Sequence, residues 1–182
     1  MGVMRISTQV RVVYAAVVTT ALLLTADVAL TSIALRNLSG MRPKLISAQS
    51  LSQVRVDMVN NLAISAVGAV LVGLLVVFAR SPSNKVRVAL WVIAPSLALS
   101  LLCALVGGPE WAVAPTGAEP ELLRTEYAQA VPGWYVTLHG VIGLLAAALL
   151  IFVAFFVARA DLRGYYLDNV DGTRYRSWVD RG

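Results

Sequence analysis

Four long apolar stretches, Val12 to Leu35, Asn61 to Ala79, Val86 to Val106 and Leu138 to Ala158, fill most of the chain and limit what it can fold into. At about 1.5 Å of rise per residue each gives a helix of about 28 to 36 Å, enough to cross a hydrocarbon core of about 30 Å. Peptide groups in lipid find no water to bond, so a crossing segment must satisfy its own backbone, as a helix or within a closed barrel. Barrel strands alternate in polarity, whereas these runs are continuously apolar. The expected fold class is therefore all-α: a four-helix transmembrane bundle of two antiparallel helical hairpins.

Composition agrees, since 58% apolar against 14% charged residues is a balance that a soluble domain would struggle to keep dispersed. The net charge of +5 raises the question of nucleic acid. Its basic residues are scattered among the segments flanking the helices, not gathered into a stripe, so nucleic acid is not an expected partner. The expected partners are the lipid bilayer and a protein, either another subunit or a second copy. One cysteine, Cys103, lies in the third run and rules out an intrachain disulfide. It is expected as a small buried apolar residue.

Charge also orients the chain. The link Arg80 to Arg87 is too short for anything but a hairpin, with Pro82 as breaker and Ser83 or Asn84 as cap of the next helix. Ten basic residues fall on the side of this link and the two ends, among them Arg5, Arg11, Lys85, Arg87 and Arg159. The other side holds five: Arg36, Arg42, Lys44, Arg55 and Arg124. The bias places both termini in the cytoplasm. Arginine-rich flanks and Ala, Val and Leu runs point to a bacterium, hence to a multi-pass protein of the plasma (inner) membrane. Arg5 and Arg11 precede an apolar run about twice the usual signal length, so the first run is expected to stay as a signal anchor.

The transmembrane domain is expected over residues 1–159, with helices over 12–35, 61–79, 86–106 and 138–158 and outer loops over 36–60 and 107–137. A cytoplasmic tail follows over 160–182. Within the first outer loop Leu51, Val54, Met58 and Leu62 recur at helical spacing, which predicts an early start to the second helix. The second loop carries a helix candidate from Glu121 to Ala130, and its four glutamates make it acidic against a more basic first loop. Attraction between the two loops is expected.

Asp27 is the one acidic residue deep in any run, and a charge there is costly unless it is paired or protonated. It should face protein, with Thr20, Thr31 or Ser and Asn groups of neighbouring helices as partners. His139, the only histidine, stands with Trp134 and Tyr135 at the expected outer interface, where hydrogen bonding to the headgroup layer is its expected work. A single imidazole supports neither bis-histidine haem nor a histidine zinc cluster, and no catalytic, cofactor or metal site is expected. Small residues at Ser65, Ala69 and Gly73, and at Gly143 and Ala147, mark faces for close helix packing. Pro95 should bend the third helix, with Ser96 and Ser100 compensating. The segment Asp168 to Gly172 has a calcium-loop look but puts Leu167 and Trp178 at ligand positions, so it is read as a turn.

The stretch Tyr127-Ala-Gln-Ala-Val-Pro-Gly-Trp-Tyr135, running into an Ala-rich helix, resembles a pattern in small actinobacterial four-helix integral membrane proteins of uncharacterised function. The resemblance implies a Pro-Gly turn with aromatic rings at the outer interface, and no activity. The expected function is non-enzymatic: an accessory or interaction subunit of a cell-envelope system. The alternative is a small proton- or ion-coupled carrier or channel that uses Asp27.

Overall fold

The computed structural model describes residues 2–42, 44, 46–78, 83–106 and 121–159, with side chains from residue 10 onward and, in the 121–130 helix, from residue 125. Every element among them is a helix: α1 (Gly2–Gly40), α2 (Ala48–Phe78), α3 (Asn84–Val106), α4 (Glu121–Ala130) and α5 (Gly133–Ala158). Four of these, all but α4, are long and apolar enough to cross a membrane. The tail 160–182, the 107–120 part of the second outer loop and Pro82 lie outside the described residues.

Polar residues set the helix ends. Ser47 caps α2, its Oγ accepting from Ser50 N at 3.0 Å, and Ser83 caps α3, accepting from Lys85 N at 3.3 Å. Pro132, extended at φ −60° and ψ 136°, starts α5, with its carbonyl accepting from Tyr135 N at 2.9 Å. At the far end Arg87 Nε donates to Val157 O at 3.2 Å, which supplies one of the carbonyls that α5 leaves unpaired. Arg159 lies over the Phe156 ring, 4.9 Å from its centroid. Helix α3 runs through Pro95, where Ser96 Oγ donates to Val92 O and Ser100 Oγ to Ser96 O.

α1 packs against α2 and α5, α5 also packs against α3, and α2 meets α3 more sparsely, so the four long helices close into a bundle. Its interior falls into three zones. A large apolar cluster joins Val13, Val17 and Leu24 of α1 to Val72 and Leu75 of α2, Leu90 and Leu97 of α3, and Leu150 and Val153 of α5. A smaller one joins Ala34 and Leu38 of α1, Ile46 of the link, Val54 and Met58 of α2, Ala130 of α4, and Val131 and Tyr135. Between them, on every helix that contributes to both, lie buried polar residues: Asp27 and Thr31 on α1, Asn61 and Ser65 on α2, His139 on α5.

The expected outer loop over 36–60 is mostly helix. Only residues 41–47 separate α1 from α2. The reason is amphipathic: Gln53, Arg55 and Asn60 are exposed while Val54 and Met58, on the opposite face, are fully buried in the smaller cluster. The link is held by α4, whose Glu126 carboxylate accepts from Lys44 N at 3.1 Å through one oxygen and from Ile46 N at 3.2 Å through the other. That contact joins α4 to the link through two backbone amides.

Candidate functional site

Asp27, Ser65 and His139 meet in the polar zone from three different helices. Ser65 Oγ donates to Asp27 Oδ2 at 2.6 Å, and His139 Nδ1 lies 2.8 Å from Asp27 Oδ1. All three are closed off from solvent, with exposures of 2% for Asp27, 1% for Ser65 and 5% for His139. Each carboxylate oxygen thus has a short hydrogen-bond partner, the condition under which an acid is tolerated in an apolar surround. For Nδ1 to bond a carboxylate it must carry the proton, which fixes the tautomer of the neutral imidazole.

The helices aim these groups by periodicity. On α5 the residues Tyr135, His139 and Gly143 are buried at steps of four, and the Tyr135 ring stacks on His139 with centroids 5.3 Å apart and planes 15° from parallel. Trp134 stands edge-on to Tyr135 at 6.2 Å and is 42% exposed. His139 was expected at an interface. It is instead turned into the bundle, because Asp27 offers a buried acceptor that headgroup water cannot match in strength.

The other expected residues divide. Thr20 is buried but donates to Ala16 O at 2.8 Å in its own helix and makes no bond to Asp27. Thr31, one turn beyond Asp27, is buried and its hydroxyl has no partner among the described residues; the same holds for Asn61 Nδ2 and His139 Nε2. Ser65 was expected as a packing residue and serves as a hydrogen-bond donor. Ala69 is half-buried, and a Cβ on Gly73 would meet nothing within 4 Å. The tight approach on α2 is at Gly68, where a Cβ would lie 3.1 Å from Leu97 Cδ1 and 3.2 Å from Leu24 Cδ1. Gly143 does pack closely, against Leu105, and Ala147 is buried. Cys103, expected inside, is exposed on α3.

The same three residue types make up a hydrolase triad, but the wiring differs. In a triad the serine hydroxyl faces the imidazole nitrogen remote from the carboxylate, which takes its proton. Here Ser65 bonds the carboxylate directly, so the imidazole does not stand at its hydroxyl. Glu126 is engaged by the link amides. What the cluster can do is tie three helices together and hold or pass a proton between Asp27 and His139. No family model, curated protein or solved structure matches this chain.

Proposed function

We propose that the chain is a non-enzymatic integral membrane protein that serves as an accessory or interaction subunit of a cell-envelope system, presenting a rigid helical head on the side opposite its termini. The observation that carries this reading is the smaller apolar cluster. α1 and α2 have 39 and 31 residues, and at about 1.5 Å per residue both far exceed a core of about 30 Å. The surplus at the 36–60 end is packed around Leu38, Val54, Met58 and Tyr135 and clamped by Glu126. A tether has no need of such a structure; a docking surface does.

Several contacts support antiparallel hairpins with both termini on one side. Leu24 faces Gly68 while Asp27, farther along α1, holds Ser65, earlier on α2. Leu105 of α3 faces Gly143 near the start of α5, and Arg87 reaches Val157 near its end. The arginine and lysine bias assigns the side of the termini to the cytoplasm of a bacterial plasma membrane. The head also exposes Val56 (51%) and Val59 (44%) beside Arg55 and Asn60, an apolar spot with a polar rim that suits a protein partner.

Isolation in mild detergent is expected to recover a stoichiometric partner or a stable homo-oligomer, and Val56→Glu with Val59→Glu to release it. A monodisperse single chain with no partner, from the native membrane, contradicts the proposal. The buried Asp27–His139 pair favours one second reading, proton- or ion-coupled transport. Against it, the only buried polar side chain described in the large apolar cluster's zone is Thr20, whose hydroxyl is taken by Ala16 O. In reconstituted vesicles, equal proton flux for wild type and Asp27→Asn rejects transport.

A further inference from the structure

The seam between α2 and α3, which meet sparsely, opens as two clefts. One, of about 500 Å³, is walled by apolar side chains, among them Ala63, Val67 and Leu71 of α2 and Val92 and Ile93 of α3. The other, of about 480 Å³, is lined by Asp57, Asn60 and Asn61 of α2 and by Ser100 and Cys103 of α3. Ile64 and Ser100 line both, so the two form one groove. From Asp57 to Leu71 it extends about 21 Å at helical rise, and each cleft has a volume within the range of sites that hold a small molecule.

Polarity along the groove is ordered. The polar end lies toward the smaller cluster and the head, and the apolar end runs into the part of the bundle long and apolar enough to span lipid. An amphiphile standing in one leaflet has this same order. One observation narrows its chemistry. Asp57, one oxygen of which takes Gln53 Nε2 at 3.0 Å, is the one charged side chain lining either cleft, which favours a cation and disfavours an anion.

We propose that this groove binds one aminolipid, with an acyl tail between Val67, Leu71 and Val92 and an ammonium headgroup near Asp57. A helix of a second copy, about 10 to 12 Å across, is too thick for a seam whose walls still meet where Leu97 reaches Gly68. A flexible chain is not. Neither the accessory role nor its partner enters this proposal.

The test uses the full chain in vesicles of equimolar phosphatidylethanolamine and phosphatidylglycerol, re-extracted in mild detergent and weighed by native mass spectrometry. One lipid is expected to stay bound per chain, phosphatidylethanolamine over phosphatidylglycerol by about tenfold, because both carry the same phosphate and only the ethanolamine ammonium can pair with Asp57. Val67→Trp should abolish retention without loss of helix content, because Val67 is 57% exposed and the new ring fills the groove without touching the core. Asp57→Asn should keep a lipid but lose the headgroup preference. Equal retention by wild type and Val67→Trp means boundary lipid only and overturns the proposal. So does a preference for phosphatidylglycerol, or a near-complete Cys103-linked dimer on mild oxidation, which places protein in the groove.

Discussion

Removing His139 alone should harm this protein more than removing both His139 and Asp27. The structure allows the change to be made without a cavity. His139→Phe keeps a ring to stack on Tyr135 at 5.3 Å while deleting the Nδ1 that lies 2.8 Å from Asp27. Asp27 then keeps only the Ser65 donor of its two described partners, with an apolar ring at its other oxygen. Breaking a buried pair from one side typically costs about 3 to 5 kcal/mol; interhelical hydrogen bonds in membranes average about 0.6 and reach about 1.7 kcal/mol. The pair here joins a carboxylate to an imidazole, so a loss of about 2 to 4 kcal/mol is expected, between those limits. Asp27→Leu leaves Nδ1 and Ser65 Oγ without the acceptor and should cost about 1 to 3 kcal/mol, the hydroxyl recovering part by bonding its own helix. The double variant places two apolar groups in contact and should fall within about 1 kcal/mol of wild type. Unfolding by SDS in mixed micelles, followed by circular dichroism, gives the four free energies and a coupling close to the sum of the two single losses, about 3 to 7 kcal/mol. If the two single losses simply add, the pair is not what joins α1 to α5, and the account of the polar zone fails.

Glycine substitutions should separate the true packing face from the apparent one. Gly143→Val, pressed on Leu105, should destabilise by about 1 to 3 kcal/mol in a detergent melt, while Gly73→Ala, facing open space, should be neutral or stabilising. Glu126→Ala leaves the Lys44 and Ile46 amides without their acceptor, so both should exchange hydrogen faster and protease should cut within 41–47 sooner, at a local loss of about 1 to 3 kcal/mol. Arg87→Ala should cost about 0.5 to 1 kcal/mol through the end of α5, visible as faster exchange at the last turn.

Much of the architecture was legible in the sequence because hydrophobicity acts locally. The described residues of the four apolar runs each fall within a long helix, and the punctuation around Glu121 to Ala130 marks α4 at the observed bounds. Hydropathy does not see where a helix ends once its surface turns amphipathic, so the extensions of α1 and α2 beyond the apolar runs were in part read as loop. Asp27 was legible as a residue in need of partners. Which partners was not: His139 is 112 positions away, and the choice depends on α5 lying beside α1, a matter of packing. The small-residue stripe on α5 packs, at Gly143 and Ala147, while on α2 it leaves the buried face for a geometric reason. Steps of four residues drift about 40° each around a helix of about 3.6 residues per turn. Ser65, Ala69 and Gly73 therefore walk off the buried face, whereas Asn61, Ser65, Gly68, Val72 and Leu75, alternating four and three, stay on it.

The central claim, four crossings with the head on one side and both ends on the other, is tested most directly by side-specific labelling in sealed cells. With Cys103 replaced by alanine, single cysteines are placed at residue 2, at Ser47 in the α1–α2 link and at residue 182, and each is exposed to a membrane-impermeant maleimide. Labelling at Ser47 alone, with the two ends reacting only after the cells are opened, is the predicted result. Ends that label on opposite sides, or a chain recovered in the aqueous fraction without detergent, contradict it.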